Sequence, residues 1–286
     1  MKQIGSSDKK ESDQEPTIRI QPAEGWVPVN ISELWEHRAL LVYLVRRDVR
    51  SLYANTVLGV LWTVLQPLAT AIVVTIVLGM FARIPTEGIP YGLVALSGLV
   101  PWSYFSTSVQ SGCISMSANA SLMTKVYFPR LIIPTVPILA GLVDLAVLII
   151  VLLGAMLFYG IMPQLSWLFI PVPLILMIAL SLGASLWLSA LNVQYRDVGR
   201  LLPVVIQIAT YASPIVYPYA IIPEKWRGIY ALNPVVGIVN AIRWALFGQN
   251  EFPFVELSVS ILLAVSLIVS GVFVFQRIER VMADIV

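Results

Sequence analysis

The spacing of charged residues constrains this chain more than any other feature. No Asp, Glu, Lys or Arg lies between Arg50 and Arg83, Glu87 and Lys125, Asp144 and Arg196, Arg200 and Glu224, or Glu256 and Arg277. Apolar runs of about 20 residues cross a bilayer core as helices, because lipid offers the backbone no hydrogen-bond partner. The gaps predict spans near 58–82, 91–113, 131–159, 165–191, 201–222 and 256–276. The longest gap holds two of them, broken at Gly160-Ile161-Met162-Pro163-Gln164. The composition agrees: 58% of residues are hydrophobic and 12% charged, against about 25% charged in soluble domains. The expected fold is therefore an all-α integral membrane protein with six transmembrane helices.

Flanking charge sets the orientation. With the N-terminus in the cytoplasm, the inner flanks carry Arg46, Arg47, Arg50, Lys125, Arg130, Arg196, Arg200, Arg277 and Arg280. The outer side then receives only Arg83, Lys225, Arg227 and Arg243, so both termini are expected inside. Residues 1–25 are polar without an apolar run, which argues against a cleaved signal segment. Residues 1–29 read as a disordered cytoplasmic tail.

A short helix is expected over about 30–50. Asn30 with Glu33 fits a capping box, and Val29 with Leu34 fits the apolar staple that accompanies it. Leu34, Leu41, Val45 and Leu52 share a face, with Trp35 and Tyr43 as interfacial aromatics. This pattern reads as an amphipathic helix on the inner membrane surface rather than an inward extension of the first span. Pro214, Pro218 and Pro223 interrupt the chain after the fifth span. Asn233 as N-cap, Pro234 at the first helical position and Gly248 past the end then frame a helix of 14 residues. Such a helix covers about 21 Å, short of the roughly 30 Å core. Two short re-entrant helices on the outer side, within about 223–250, are the expectation.

Catalysis finds no machinery. The chain has no GxxxxGK[ST], so it does not hydrolyse ATP itself, and no GxSxG or HExxH. A single Cys113 and a single His37 offer no metal cluster. Asp144 is the one acid well inside a span. It must be paired, protonated or facing water, and a polar contact holding the third span to a neighbour, such as Arg243 or a backbone group, is preferred over a proton relay. Trp62, Gln66, Trp102, Tyr104, Gln207, Tyr211 and Tyr217 combine aromatic faces with amides. That combination suits a passage for an uncharged, hydroxyl-rich chain. Two inner loops, 117–130 and 192–200, are long and polar enough to touch another protein.

Seven stretches are similar to one family in order and position. They are Arg47-Asp48; Leu58-Gly59-Val60-Leu61-Trp62 with Gln66-Pro67; Gly98-Leu99-Val100-Pro101-Trp102; Lys125-Val126-Tyr127-Phe128-Pro129 with Pro134; Asn192-Val193-Gln194-Tyr195-Arg196-Asp197-Val198; Ser213-Pro214-Ile215-Val216-Tyr217; and Leu232-Asn233-Pro234. From about residue 31 onward the chain resembles the permease subunit of type 2 ABC exporters of the polysaccharide and polyol-phosphate group, which moves O-antigen, capsule and teichoic acid. Ser51 to Asn55 departs from the more basic run usual there.

The resemblance implies an exporter transmembrane domain over 30–286, in a homodimer with a second permease chain in the bacterial cytoplasmic membrane. It also implies two ATP-binding cassette subunits that hold the ATP and magnesium, so that this chain binds no cofactor. A lipid-linked glycan is the implied substrate, with membrane lipid around the chain and no nucleic-acid partner. Arg46, Arg47, Asn119, Lys125, Tyr127, Phe128, Arg196 and Asp197 would couple to the ATP-binding subunit. The 223–250 helices would gate the outer end, and the first, second and fifth spans would line the passage. The alternatives are an exporter of lipid or drug from the same class, or an ion-coupled secondary transporter. The latter should carry several intramembrane ionisable groups.

Overall fold

The computed structural model describes residues 31–54, 59–86, 88–248 and 251–282; the expected tail and the Asn30 cap lie outside them. Among the described residues, all regular elements are helical. They are α1 (Ile31–Glu36), α2 (Arg38–Tyr53), α3 (Leu61–Val74), α4 (Tyr91–Ala118), α5 (Ala120–Met123), α6 (Ile132–Phe158), α7 (Pro171–Gln194), α8 (Asp197–Ala212), α9 (Glu224–Ala231), α10 (Pro234–Phe247) and α11 (Phe254–Met282). A π-helical stretch, Thr75–Phe81, continues α3, and a 3₁₀ turn, Leu165–Phe169, leads into α7.

Helix α4 is the axis of the bundle. It is buried without interruption from Leu93 to Trp102, and α3, α6, α7, α8 and α10 pack around it. Lipid gives helices no hydrophobic reason to associate, so close packing of small residues does that work. A Cβ on Gly112 would lie 2.4 Å from Ser185 Oγ, and one on Gly141 would lie 2.6 Å from Ser108 Oγ. These contacts bring α7 and α6 onto α4 at backbone distance. A second cluster at the other end of the bundle joins Leu44, Met116, Phe128, Ile132, Val136 and Phe275.

Four segments are long and apolar enough to cross a membrane: Leu61–Phe81, Ile132–Phe158, Leu165–Gln194 and Phe254–Glu279. The bent pair α9 and α10, at 107°, makes a fifth if taken as one. Two expected spans fall outside this set for physical reasons. Helix α4 has 28 residues, about 42 Å of rise, but Ser, Thr, Gln and Tyr side chains dilute its apolarity; buried on nearly all sides, it needs no greasy surface. Helix α8 stops at Ala212 after 16 residues. The residue before a proline disfavours helix, so Ser213-Pro214 ends α8 although the uncharged run continues.

The helix expected over 30–50 is broken too. Glu36 ends α1 and Arg38 begins α2, with His37 between them and its Nδ1 2.9 Å from Glu33 O. Leu44 is buried, and Leu52, on the expected apolar face, is 54% exposed. Trp35 and Tyr43 project outward.

Candidate functional site

Two regions carry the residues singled out by sequence. The first is where α2, the α4–α5 junction and the start of α8 meet. Arg47 donates from Nη2 to Asn119 Oδ1 at 3.0 Å and to Asp48 Oδ1 at 2.8 Å. This ties α2 to the end of α4, where Asn119 caps the helix and Asn119 Nδ2 donates back to Ser115 O at 2.9 Å. The expected helix within 117–130 is the single turn α5. Lys125 and Tyr127 beyond it are exposed.

Phe128 departs from its expected role. It is 5% exposed and packs with Leu44, Met116 and Ile132. A ring sealed in its own bundle cannot reach a partner; it anchors the loop that presents its neighbours.

The 192–200 loop is held to the 117–130 loop by Asn192, which sequence reasoning quoted within a stretch but did not single out. Asn192 Nδ2 donates to Ser117 Oγ at 3.3 Å, and Asn192 Oδ1 accepts from the Gly199 N–H at 2.9 Å. Its signal was chemical: an amide at the end of an apolar helix must find partners. Arg196, Asp197 and Arg46 remain exposed. Lys125, Tyr127, Arg196 and Asp197 therefore stand on two loops that are bonded to each other, and Arg46 stands on α2, which Arg47 ties to Asn119.

Between α2, α4 and α6 lies a crevice of about 660 Å³ lined by Arg47, Asp48, Ser51, Thr107, Ser108 and Asp144, among others. Asp144 does not meet Arg243. Its Oδ1 accepts from the Tyr53 phenol and from Thr63 Oγ1, the latter at 2.8 Å. Burial first, and the Asp144 carboxylate second, push the Tyr53 phenol up to about 12, so it remains a donor at neutral pH. Asp144 is thus a contact between elements, at the edge of a polar crevice where a carboxylate is tolerable.

The second region holds the aromatics. Trp62 and Gln66 on α3, and Gln207 and Tyr211 on α8, are exposed, with Trp62 at 56% and Tyr211 at 67%. Both helices flank α4. Trp102 is 5% exposed and donates from Nε1 to Thr210 Oγ1 at 2.9 Å, pinning α8 to α4. Tyr104 is 1% exposed and donates to Ile138 O at 3.1 Å. Two residues beyond Trp102 is 200° round a helix, so Tyr104 faces α6 and the core. The structure excludes Tyr104 from any open face and makes Trp102 a strut. Tyr217 is half-buried, with its hydroxyl donating to Tyr211 O at 3.1 Å.

Sequence reasoning offered Arg243 only as an outer charge and a possible partner for Asp144. From α10 its guanidinium donates to Ser97 Oγ, Val94 O, Pro214 O, Ile215 O and Tyr217 O, at 2.8–3.2 Å. It satisfies the carbonyls that the non-helical segment 213–217 leaves without helical partners. Gly98 lets that segment in: a Cβ there would lie 2.1 Å from Ile215 O. Asn233 caps α10 through the Val235 N–H at 3.0 Å and donates to Ser213 Oγ at 2.7 Å. Gly248 ends α10 at φ +64°.

Residues 39–247 match the family model described as ABC-2 type transporter. Over 87% of its length the chain is 30% identical to a protein named O-antigen export system permease protein RfbA from Myxococcus xanthus, covering 96% of that relative. It is 29% identical, over 86% of its length and 94% of the relative's, to one of the same name from Klebsiella pneumoniae. A protein named polysialic acid transport protein KpsM from Escherichia coli is 25% identical over 71% of this chain and 79% of its own. Near-complete coverage, and a family match that takes in the 117–130 and 192–200 loops and the Arg243-held segment, decide the assignment: the chain belongs to the ABC-2 type transporter family.

Proposed function

We propose that this chain is the membrane-spanning permease of an ATP-driven exporter that moves a lipid-linked polysaccharide outward across the bacterial cytoplasmic membrane. The observation that carries the reading is similarity along nearly the whole chain to permeases named for O-antigen export. Six spans follow if α4, shielded by its neighbours, and α8 with segment 213–217 are counted; α9 and α10 then re-enter from the outer side. Both termini face the cytoplasm under the charge rule.

A separate ATP-binding subunit supplies nucleotide and magnesium, because the sequence holds no phosphate-binding loop. Two permease chains pair so that the exposed faces of α3 and α8 enclose the passage, with Trp62, Gln66, Gln207 and Tyr211 presented to sugar. The bonded inner loops receive the motor's motion through Lys125, Tyr127, Arg196 and Asp197, with Arg46 on the adjoining α2. That motion can shift the spans only by as much as ATP binds the two states differently.

The test is deletion of the gene in its native host, with surface glycan measured by gel and anti-glycan staining. Loss of surface glycan, intracellular accumulation of the lipid-linked polymer and rescue by the wild-type gene are expected. Unchanged surface glycan overturns the proposal.

A further inference from the structure

A cavity of about 550 Å³ opens between Pro85, Thr86 and Ile89, segment 218–220, α10 and the start of α11. That size suits a small ligand, and no residue of α3 or α8 lines it. Asn240, Trp244, Phe252, Phe254 and Glu256 line it. Trp244 and Phe252 meet edge to face at 4.8 Å, and Phe252 and Phe254 lie 4.4 Å apart, giving a compact aromatic wall. Asn240 is half-buried, and its amide bonds no other described residue. An amide unpaired in so apolar a helix costs free energy unless water or a ligand meets it.

Charge decides the class of ligand. Arg243, at the cavity floor, spends all its donors on Ser97 and four backbone carbonyls. Arg227 is engaged by Ile222 O at 3.2 Å, by Glu224 at 4.0 Å and by the Tyr219 ring. The carboxylates of Glu251 and Glu256 border the same space. With the two acids set against Arg227 and the fully bonded Arg243, the lining carries no net positive charge to draw a phosphate or carboxylate. Aromatic faces, an amide and a carboxylate acceptor suit the apolar ring faces and hydroxyl donors of a sugar.

We propose that this cavity binds a sugar unit carrying no negative charge, at a site separate from the passage. The inference rests on the polysaccharide-export reading and adds a place where the outer part of the protein holds the cargo.

The test places a benzophenone amino acid at Val255, on the rim and 68% exposed, in the full chain within cells that export the native glycan. Irradiation should give a glycan-bearing adduct, read by anti-glycan staining and mass. The same probe at Ile175 on α7, 64% exposed, should give none. Asn240→Leu, which breaks no hydrogen bond to a described residue, should lower the Val255 adduct about tenfold, the factor that ~1.4 kcal/mol gives. No adduct, a phospholipid adduct alone, or a glycan adduct indifferent to Asn240→Leu overturns the site. Surface glycan that persists when the gene is deleted would instead overturn the export reading.

Discussion

The phenol of Tyr53, at the end of α2, donates to a carboxylate oxygen of Asp144 within α6, and Thr63 at the start of α3 donates to the same atom at 2.8 Å. One acid of α6 therefore ties the end of α2 to the start of α3. Bonds to a charged acceptor contribute about 1.5–3 kcal/mol each. Asp144→Ala should destabilise the protein by about 3 kcal/mol, read as a lower melting temperature in detergent. Asp144→Asn, which keeps an acceptor, should lose less; equal losses would mean that shape rather than hydrogen bonding matters there.

Arg243 predicts a larger effect. Replacing it with Met leaves four carbonyls and Ser97 without their donor. Breaking such a buried charged network costs about 3–5 kcal/mol. Arg243→Met should accumulate poorly and melt early, with Arg243→Lys intermediate because an ammonium supplies three donors rather than five. Wild-type stability in Arg243→Met would remove the anchoring role assigned here.

Phe128 and Tyr127 are adjacent and should behave oppositely. Phe128, 5% exposed, is core; Phe128→Ala should cost about 3–5 kcal/mol of stability. Tyr127 is 89% exposed. Tyr127→Ala combined with Lys125→Glu should leave melting unchanged while lowering export and the ATP turnover of the assembled transporter. Full export by that double variant would remove the docking role of this loop.

The aromatics divide in the same way. Tyr104→Phe loses the bond to Ile138 O at 3.1 Å and should cost about 1 kcal/mol with little effect on transport. Tyr211→Ala removes a 67% exposed ring and should slow export at unchanged melting temperature. A transport defect confined to Tyr104→Phe would reverse the assignment.

Gly98 offers a steric test. An added Cβ would lie 2.1 Å from Ile215 O, so Gly98→Ala must displace segment 213–217 or weaken its hold. A lower melting temperature is expected, and it should not add in full to that of Arg243→Lys, since both act on one segment. Strict additivity would show that they act separately.

Much of this protein could be read from its sequence alone. Helical class and approximate element positions follow from charge gaps, because a charge in lipid is costly wherever it falls. The α10 frame of Asn233, Pro234 and Gly248 was legible because caps are local chemistry. Which face of a helix looks where was not legible. A helix such as α4, with small polar and apolar residues mixed on every side, has no periodicity that marks its neighbours, so Trp102 and Tyr104 looked alike although one braces α8 and the other fills the core. The pairings of Asp144 with Tyr53 and Thr63, and of Arg243 with segment 213–217, join residues far apart in the chain. Only the tertiary structure decided them, because the partner of a buried polar group is whichever donor or acceptor the folded chain brings within about 3 Å.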